Sequence, residues 1–256
     1  MGLRVFSLAF WAFIGVSSLL LFPVALLVWA VTAPFDRRRR VQHWFTCAWA
    51  SLYTWLNPLW RVKVEGRDRI APDATYVMVA NHQSFADILV LFRLFRHFKW
   101  VSKVEMFRIP CIGWNMALND YVKLVRGSPD SIARMMAACE AHLGRGSSLM
   151  IFPEGTRSPD GRLRAFKHGA FTLAQRMRVP ILPIVVEGTA NALPKHGFVL
   201  TGRCAIRIRV LDPVPVTEVM AGSVDDLTAA VRARFVRELG DAVDEPARPA
   251  VAVAPR

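Results

Sequence analysis

The sequence predicts an α/β fold: one domain with a central mixed sheet flanked by helices, preceded by an N-terminal two-helix membrane-associated element. Three observations carry this. From residue 61 onward, short apolar runs of strand length alternate with segments whose apolar residues recur at helical spacing. Before that point, residues 5–35 and 41–60 contain no Asp, Glu, Lys or Arg. Four consecutive arginines, Arg37 to Arg40, separate these two stretches.

The first stretch holds 31 residues. As a helix it would run roughly 46 Å, against a bilayer core of about 30 Å. A secretory signal has a shorter apolar region and a small-residue cleavage site, so the stretch reads as a retained anchor, kinked near Pro23. Arginines flanking an apolar segment mark the cytoplasmic side or an anionic headgroup layer. In residues 41–60 the apolar positions Val41, Trp44, Phe45, Ala48, Leu52, Leu56 and Leu59 recur at helical spacing. Trp44, Trp49, Trp55 and Trp60, half of the chain's eight Trp, suit a membrane interface. If both stretches crossed the bilayer, the arginines and the following domain would lie on opposite sides, against the positive-inside rule. Three arrangements stay open. Residues 5–35 span while 41–60 lies in the interface, or the pair dips into one leaflet, or both form a buried hairpin of a soluble protein.

The rest of the chain follows in order. Residues 61–65 alternate polar and apolar and read as a strand. Residues 75–80 (TYVMVA) form a buried strand and 85–97 a helix. A strand at 100–103 leads into an irregular region, 105–119, rich in Pro, Gly and aromatics, and 121–125 is a further strand. Ser128 caps a helix with Pro129 at its first position and a stripe of Ile132, Met135, Met136, Cys139 and Leu143. Strand 147–152, a helix over 169–177, and strands 181–186 and 204–211 come next. The last helix starts at Ser223, with Asp226 in capping-box position and a Leu227, Val231, Phe235, Leu239 stripe. The Pro-containing tail from residue 245 reads as disordered. The expected division is therefore 1–60, 61–244 and 245–256.

Net charge is +13 and pI about 10.6, which calls for an anionic partner. The sequence lacks a nucleic-acid-binding fingerprint, so a membrane surface or a phosphorylated substrate leads and nucleic acid is not expected. Cys47, Cys111, Cys139 and Cys204 form neither a CxxC nor a metal spacing. They read as free thiols in a reducing compartment, with the domain in the cytoplasm.

Two stretches carry chemistry. Asn81-His82-Gln83-Ser84-Phe85-Ala86-Asp87 sits between the 75–80 strand and a helix. A His at a strand end with a carboxylate close enough to hold its ring is the minimum apparatus of a general base. The bland reading of Ser84-x-x-Asp87 is a helix cap. The second stretch, Phe152-Pro153-Glu154-Gly155-Thr156-Arg157-Ser158, follows the 147–152 strand.

With these residues in view, NHQSFAD looks like the His-x4-Asp motif of the glycerolipid acyltransferases, and FPEGTRS looks like their second signature. The sequence resembles the 1-acyl-glycerol-3-phosphate acyltransferases, which convert lysophosphatidic acid to phosphatidic acid. Two further blocks agree in order and spacing: Lys103 through Phe107, Pro110, Gly113 and Trp114 to Arg126, and Val179 to Ile184. The resemblance covers roughly Val62 to Leu211. It implies a catalytic domain behind a two-helix membrane element at the cell inner membrane, on its cytoplasmic face.

The reaction so implied moves an acyl group from acyl-CoA or acyl carrier protein to a secondary hydroxyl, with no cofactor. His82 would take the hydroxyl proton, and Asp87 would fix its tautomer. Ser84 as a covalent nucleophile is the rival scheme, but no G-x-S-x-G elbow is present. The acceptor phosphate needs cations. Arg157 is the first candidate because guanidinium binds phosphate bidentately, and Lys103 and Arg126 match family positions. Each also has a reading as surface charge. Glu154 would orient Arg157 or the acceptor hydroxyl. Gly155 and Thr156 would offer backbone N–H groups, and Ile181 with the Pro183 block is a candidate for oxyanion donors. Lys167 and Gly169 also match the family; Lys167 would meet phosphate, the donor nucleotide or only solvent. Metal hydrolysis is disfavoured by the spacing. A different lysolipid acceptor, such as a lyso-ornithine lipid or a lysophospholipid, and a non-catalytic membrane-surface binding protein are the remaining alternatives.

Overall fold

The computed structural model describes residues 2–194 and 197–240; the expected tail and the last residues of the 61–244 segment lie outside the described residues. Seven strands form one mixed sheet: β1 Trp60–Glu65, β2 Val77–Ala80, β3 Phe98–Lys103, β4 Val122–Leu124, β5 Ser148–Ile151, β6 Ile181–Glu187 and β7 Cys204–Val210. Their order across the sheet is β1-β7-β6-β2-β5-β3-β4. Every neighbouring pair is parallel except β6 with β7. Val77 of β2 lies opposite Leu149 of β5 and Ile181 of β6. All four residues of β2 are buried, as expected where a parallel strand is covered on both faces.

Five adjacent strands, β6, β2, β5, β3 and β4, point the same way. Their carboxyl ends therefore share one edge, where open α/β sheets bind ligands. Both signature stretches leave the sheet there: Asn81 follows the last residue of β2 and Phe152 the last of β5.

The period-2 alternation of the strands sorts the core into two layers. Met78, Ala80, Phe98, Trp100, Met150, Leu182 and Ile184 face one side, packed with residues of α1 (Gly2–Thr32), α2 (Arg40–Trp55) and α3 (Ala86–Leu91). Val77, Val79, Leu149, Ile181 and Val185 face the other. There they meet α5 (Pro129–Gly144), α6 (Gly169–Met177) and α9 (Val224–Leu239). Between these lie α4 (Ile112–Leu118) and two one-turn helices, α7 (Thr189–Ala192) and α8 (Val216–Val219).

Local signals in the sequence account for several boundaries. Ser128 accepts from the Ser131 N–H at the start of α5, with Pro129 next. Ser223 and Asp226 form the reciprocal capping box of α9. Three expectations are corrected. The predicted 85–97 helix is short: α3 ends at Leu91, a 3-10 turn covers Phe92–Leu94, and Phe95 turns left-handed at φ 47°. The 105–119 region is not irregular throughout, because α4 lies within it. Ile132, 44% exposed, drops out of the α5 stripe; Ser131 is the buried residue of the first turn instead.

The N-terminal helices differ from each other. α1 runs unbroken through Pro23 and is long and apolar enough, by length and composition, to cross a membrane. One stripe, Ser7, Phe10, Ile14, Ser18, Ala25 and Thr32, is buried against the domain along nearly its whole length. Leu8, Leu19, Leu20 and Leu27 are exposed on the outer side. α2 is instead a core helix. Cys47, Trp49, Ala50 and Tyr53 join the same hydrophobic cluster as Phe98 and Trp100, so the boundary expected at residue 60 runs through packed side chains. Gln42, His43, Thr46 and Thr54 are buried with partners, whereas the buried Ser51 hydroxyl has none among the described residues. Gln42 Nε2 donates to Asn115 Oδ1 at 2.9 Å, Asn115 and Asn119 donate to Thr46 Oγ1, and His43 Nδ1 lies 2.8 Å from the Tyr121 hydroxyl. Trp44 and Trp55 are exposed, whereas Trp49 and Trp60 are interior. All four cysteines are unpaired thiols.

Candidate active site

His82 stands two residues beyond the end of β2, on the carboxyl edge. Its Nδ1 lies 2.8 Å from Asp87 Oδ2, and Asp87 is fully buried in the first turn of α3. The same oxygen accepts the backbone N–H groups of Gln83 (2.6 Å) and Ser84 (2.8 Å). Three donors converging on one buried oxygen fix the carboxylate, and the carboxylate fixes the ring. Because a carboxylate only accepts, Nδ1 carries the hydrogen and Nε2 presents its lone pair. The His82 side chain keeps 13% of its surface open.

The residues around His82 are bolted to three neighbouring segments. Asn81 mimics a strand residue: Nδ2 donates to the Val186 carbonyl and Oδ1 accepts the Val186 N–H, both at 2.8 Å. Gln83 Nε2 donates to the Gly161 carbonyl. Ser84, with no exposed surface, donates its hydroxyl to the Leu193 carbonyl at 2.6 Å and accepts from the Ala86 N–H. The expected cap is thus only half formed, because Asp87 accepts the Ser84 N–H while the Ser84 hydroxyl serves other partners. A hydroxyl so engaged is not presented to His82.

The second signature closes directly onto the first. The His82 N–H donates to Glu154 Oε1 at 2.6 Å, and the Ser158 N–H donates to the His82 carbonyl at 2.8 Å. Glu154 Oε2 accepts the Arg164 N–H. Both oxygens of this buried carboxylate therefore hold backbone N–H groups. Burial pushes the Glu154 carboxyl up to about 7, against the two N–H bonds that favour its charge. Arg157 lies with its guanidinium 4.3 Å from the centre of the Phe85 ring, a cation–π contact joining the two signatures.

Gly155 has φ +71°, and a side chain there would collide with the Lys167 side chain, whose Nζ would sit 2.9 Å from the added carbon. Lys167 is thus drawn beside the signature loop, and its own N–H donates to the Pro153 carbonyl. Thr156 is half-buried in the same loop, and Gly169 begins α6.

Lys103 and Arg126 occupy the same edge farther out. Strand order puts the β3 end, with Lys103, two spacings from β2, and the β4 end, followed by Arg126, three spacings away. At about 4.8 Å per spacing, Arg126 stands farthest from His82. Both side chains are exposed. Ile181 is corrected as a source of an oxyanion donor: it starts β6 at the opposite end of the sheet, fully buried, and its N–H donates to the Val214 carbonyl. Pro183 has no N–H and lies within the same strand.

Two residues escaped the sequence reading. Phe152 stacks flat on His82, with ring centroids 3.9 Å apart and planes 7° from parallel, and is backed by Trp100. Asn81 ties β2 to β6. Phe152 was visible as the first residue of the second signature, but nothing local tells that its ring covers an imidazole 70 positions earlier.

Residues 61–187 match the family model described as Acyltransferase. The chloroplastic 1-acyl-sn-glycerol-3-phosphate acyltransferase of Brassica napus is 35% identical over 213 residues, 82% of this chain and 61% of the relative. The 1-acyl-sn-glycerol-3-phosphate acyltransferase of Saccharomyces cerevisiae is 35% identical over 191 residues, 73% of this chain and 62% of the relative. This chain thus spans less than two thirds of the length of those relatives. The crystal structure of the 1-acyl-sn-glycerophosphate (LPA) acyltransferase PlsC from Thermotoga maritima superposes with a TM-score of 0.65 at 25% identity, covering 89% of this chain and 98% of that one.

Proposed function

This chain belongs to the acyltransferase family that includes the 1-acyl-sn-glycerol-3-phosphate acyltransferases, and from that premise we propose that it acylates the sn-2 hydroxyl of 1-acyl-glycerol-3-phosphate to give phosphatidic acid. The observation that carries the reading is the His82–Asp87 pair, held on the carboxyl edge by direct bonds to the loop that contains Arg157.

In this mechanism His82 Nε2 removes the proton from the acceptor hydroxyl as its oxygen attacks the thioester carbonyl carbon. Asp87 accepts the Nδ1 hydrogen bond and stabilises the imidazolium. The tetrahedral oxyanion collapses, the C–S bond breaks, and the thiolate takes the proton back from His82. Positioned acid–base catalysis of this kind contributes typically ~10²–10⁴-fold. Arg157 binds the acceptor phosphate, with Lys103 and Lys167 as neighbouring cations and Arg126 at the periphery. The donor is acyl-CoA or acyl carrier protein, and no cofactor takes part.

The membrane role falls to α1. Its inner stripe is committed to the domain along the helix, so a docked α1 lies beside the domain, not clear of it. We read it as entering one leaflet of the inner membrane from the cytoplasmic side, with Arg37–Arg40 at the headgroups.

The test is acyl transfer by the purified full chain in lipid, with labelled acyl-CoA and acyl carrier protein, against lysophosphatidate, neutral monoacylglycerol, lysophosphatidylcholine and lyso-ornithine lipid. Preference for lysophosphatidate is expected. Equal turnover of an acceptor without phosphate would overturn the assignment of Arg157, and no transfer to any acceptor would overturn the enzyme.

A further inference from the structure

At the end of the sheet opposite His82, where α1 turns into α2, there is a cavity of about 190 Å³. Gly146 and Ser148, at the start of β5, and His97, just before β3, line it, together with Arg40 and Arg96. Asp73 is the one acidic residue in its lining. Arg96 Nε is buried and has no hydrogen-bond partner among the described residues. A buried guanidinium N–H without an acceptor is costly, and neither arginine has an ion-pair partner among the described residues.

The surroundings add positive potential. Arg38 donates to the Gly146 carbonyl at 2.9 Å beside the cavity. His97 Nε2 donates to the Arg38 carbonyl, which leaves Nδ1 without that hydrogen. Burial, followed by the charge of Lys99, holds His97 down to about 4, so the imidazole is neutral near pH 7. The volume is below the ~300–1,000 Å³ usual for drug-sized ligands; it suits a headgroup, not an acyl chain. The adjoining turn exposes Phe35, and the start of α2 exposes Val41 and Trp44, at 71%, 45% and 61%, which puts the cavity beside the surface offered to lipid.

We propose that this cavity binds a phosphate group, with Arg96 and Arg40 donating to its oxygens, and that the phosphate is the headgroup of an anionic phospholipid in the leaflet that α1 enters. The site is separate from the acceptor site and rests on the membrane association of α1, not on the chemistry at His82. Basic pockets at the cytoplasmic boundary of membrane segments recognise anionic headgroups by this means.

Two measurements on the full chain test it. In detergent, inorganic phosphate is titrated while the His97 ring signals are followed by NMR, assigned with His97→Gln. A saturable shift is expected, absent in Arg96→Gln and present in Arg37→Gln, which removes an exposed arginine outside the cavity lining. In flotation, neutral phosphatidylcholine vesicles are compared with vesicles containing phosphatidylglycerol. Arg96→Gln and the rim variant Arg40→Gln should each weaken binding to the anionic vesicles by more than the about five-fold that one peripheral basic residue contributes, and Arg37→Gln by no more than that. Binding to neutral vesicles should not change. His97 signals unmoved by phosphate would overturn the site, as would equal losses for Arg37→Gln and Arg96→Gln. A phosphate response in detergent with unaltered flotation of the Arg96 and Arg40 variants would overturn the lipid source and leave free phosphate as the ligand.

Discussion

The backbone N–H of His82 donates to Glu154 Oε1 at 2.6 Å, joining a residue that follows β2 to one that follows β5. The bond ties the main chain of the proposed base to the loop proposed to bind phosphate, so the distance between the two is set by a buried carboxylate.

Glu154→Ala should therefore leave two backbone N–H groups, of His82 and Arg164, without acceptors. Each costs roughly 1–3 kcal/mol, and kcat should fall more than KM for the lysolipid rises. Thermal melts and initial rates on the same preparation check this. Glu154→Gln, which keeps one acceptor oxygen, should be the milder variant on both measures.

The pH dependence of stability has a definite sign at this residue. The folded carboxyl titrates at about 7, above its ordinary 4.5. Between those values the folded chain holds a proton that the unfolded chain has lost, so stability falls as pH rises through that window and levels off above it. Denaturant midpoints from pH 4.5 to 8 should show this slope in the parent chain and lose it in Glu154→Gln. An identical slope in the variant would assign the effect elsewhere.

His82→Ala should lose ~10²–10⁴ in kcat, while Ser84→Ala keeps much of its activity. The Ser84 hydroxyl donates to the Leu193 carbonyl, so its loss should appear as stability, roughly 1 kcal/mol. A folded but inactive Ser84→Ala, or an acyl group trapped on Ser84, would replace direct attack with a covalent route.

Arg157→Lys should raise KM for lysophosphatidate by about ten-fold or more, because an ammonium gives up the bidentate fork and the flat contact with Phe85. Turnover of a neutral monoacylglycerol should change little. Equal losses on both acceptors would place Arg157 in support of the fold.

Phe152→Leu removes the face that covers His82 at 3.9 Å. With the ring free to tilt, kcat should drop roughly ten-fold, an amount expected for a small misplacement of a catalytic group. Phe152→Tyr keeps the face and should recover most of the rate. A Leu variant as fast as the parent would make the stack a packing contact only.

Much of this protein was legible in the chain itself. The seven strands, the caps at Ser128 and Ser223, and the positions of His82, Asp87 and Arg157 follow from local patterns, because period, capping and turn chemistry act over a few residues. What Glu154, Asn81 and Phe152 touch was not legible, since their partners lie 70 to 105 positions away and are brought near only by the order β6-β2-β5-β3. The charge-free residues 41–60 show the limit most clearly. Absence of charge is demanded equally by a lipid interior and by a protein core, so composition cannot tell one low-dielectric surrounding from the other. Only the packed structure decides it, by giving Gln42, His43 and Thr46 hydrogen-bond partners inside the domain and leaving Leu8, Leu19, Leu20 and Leu27 of α1 exposed.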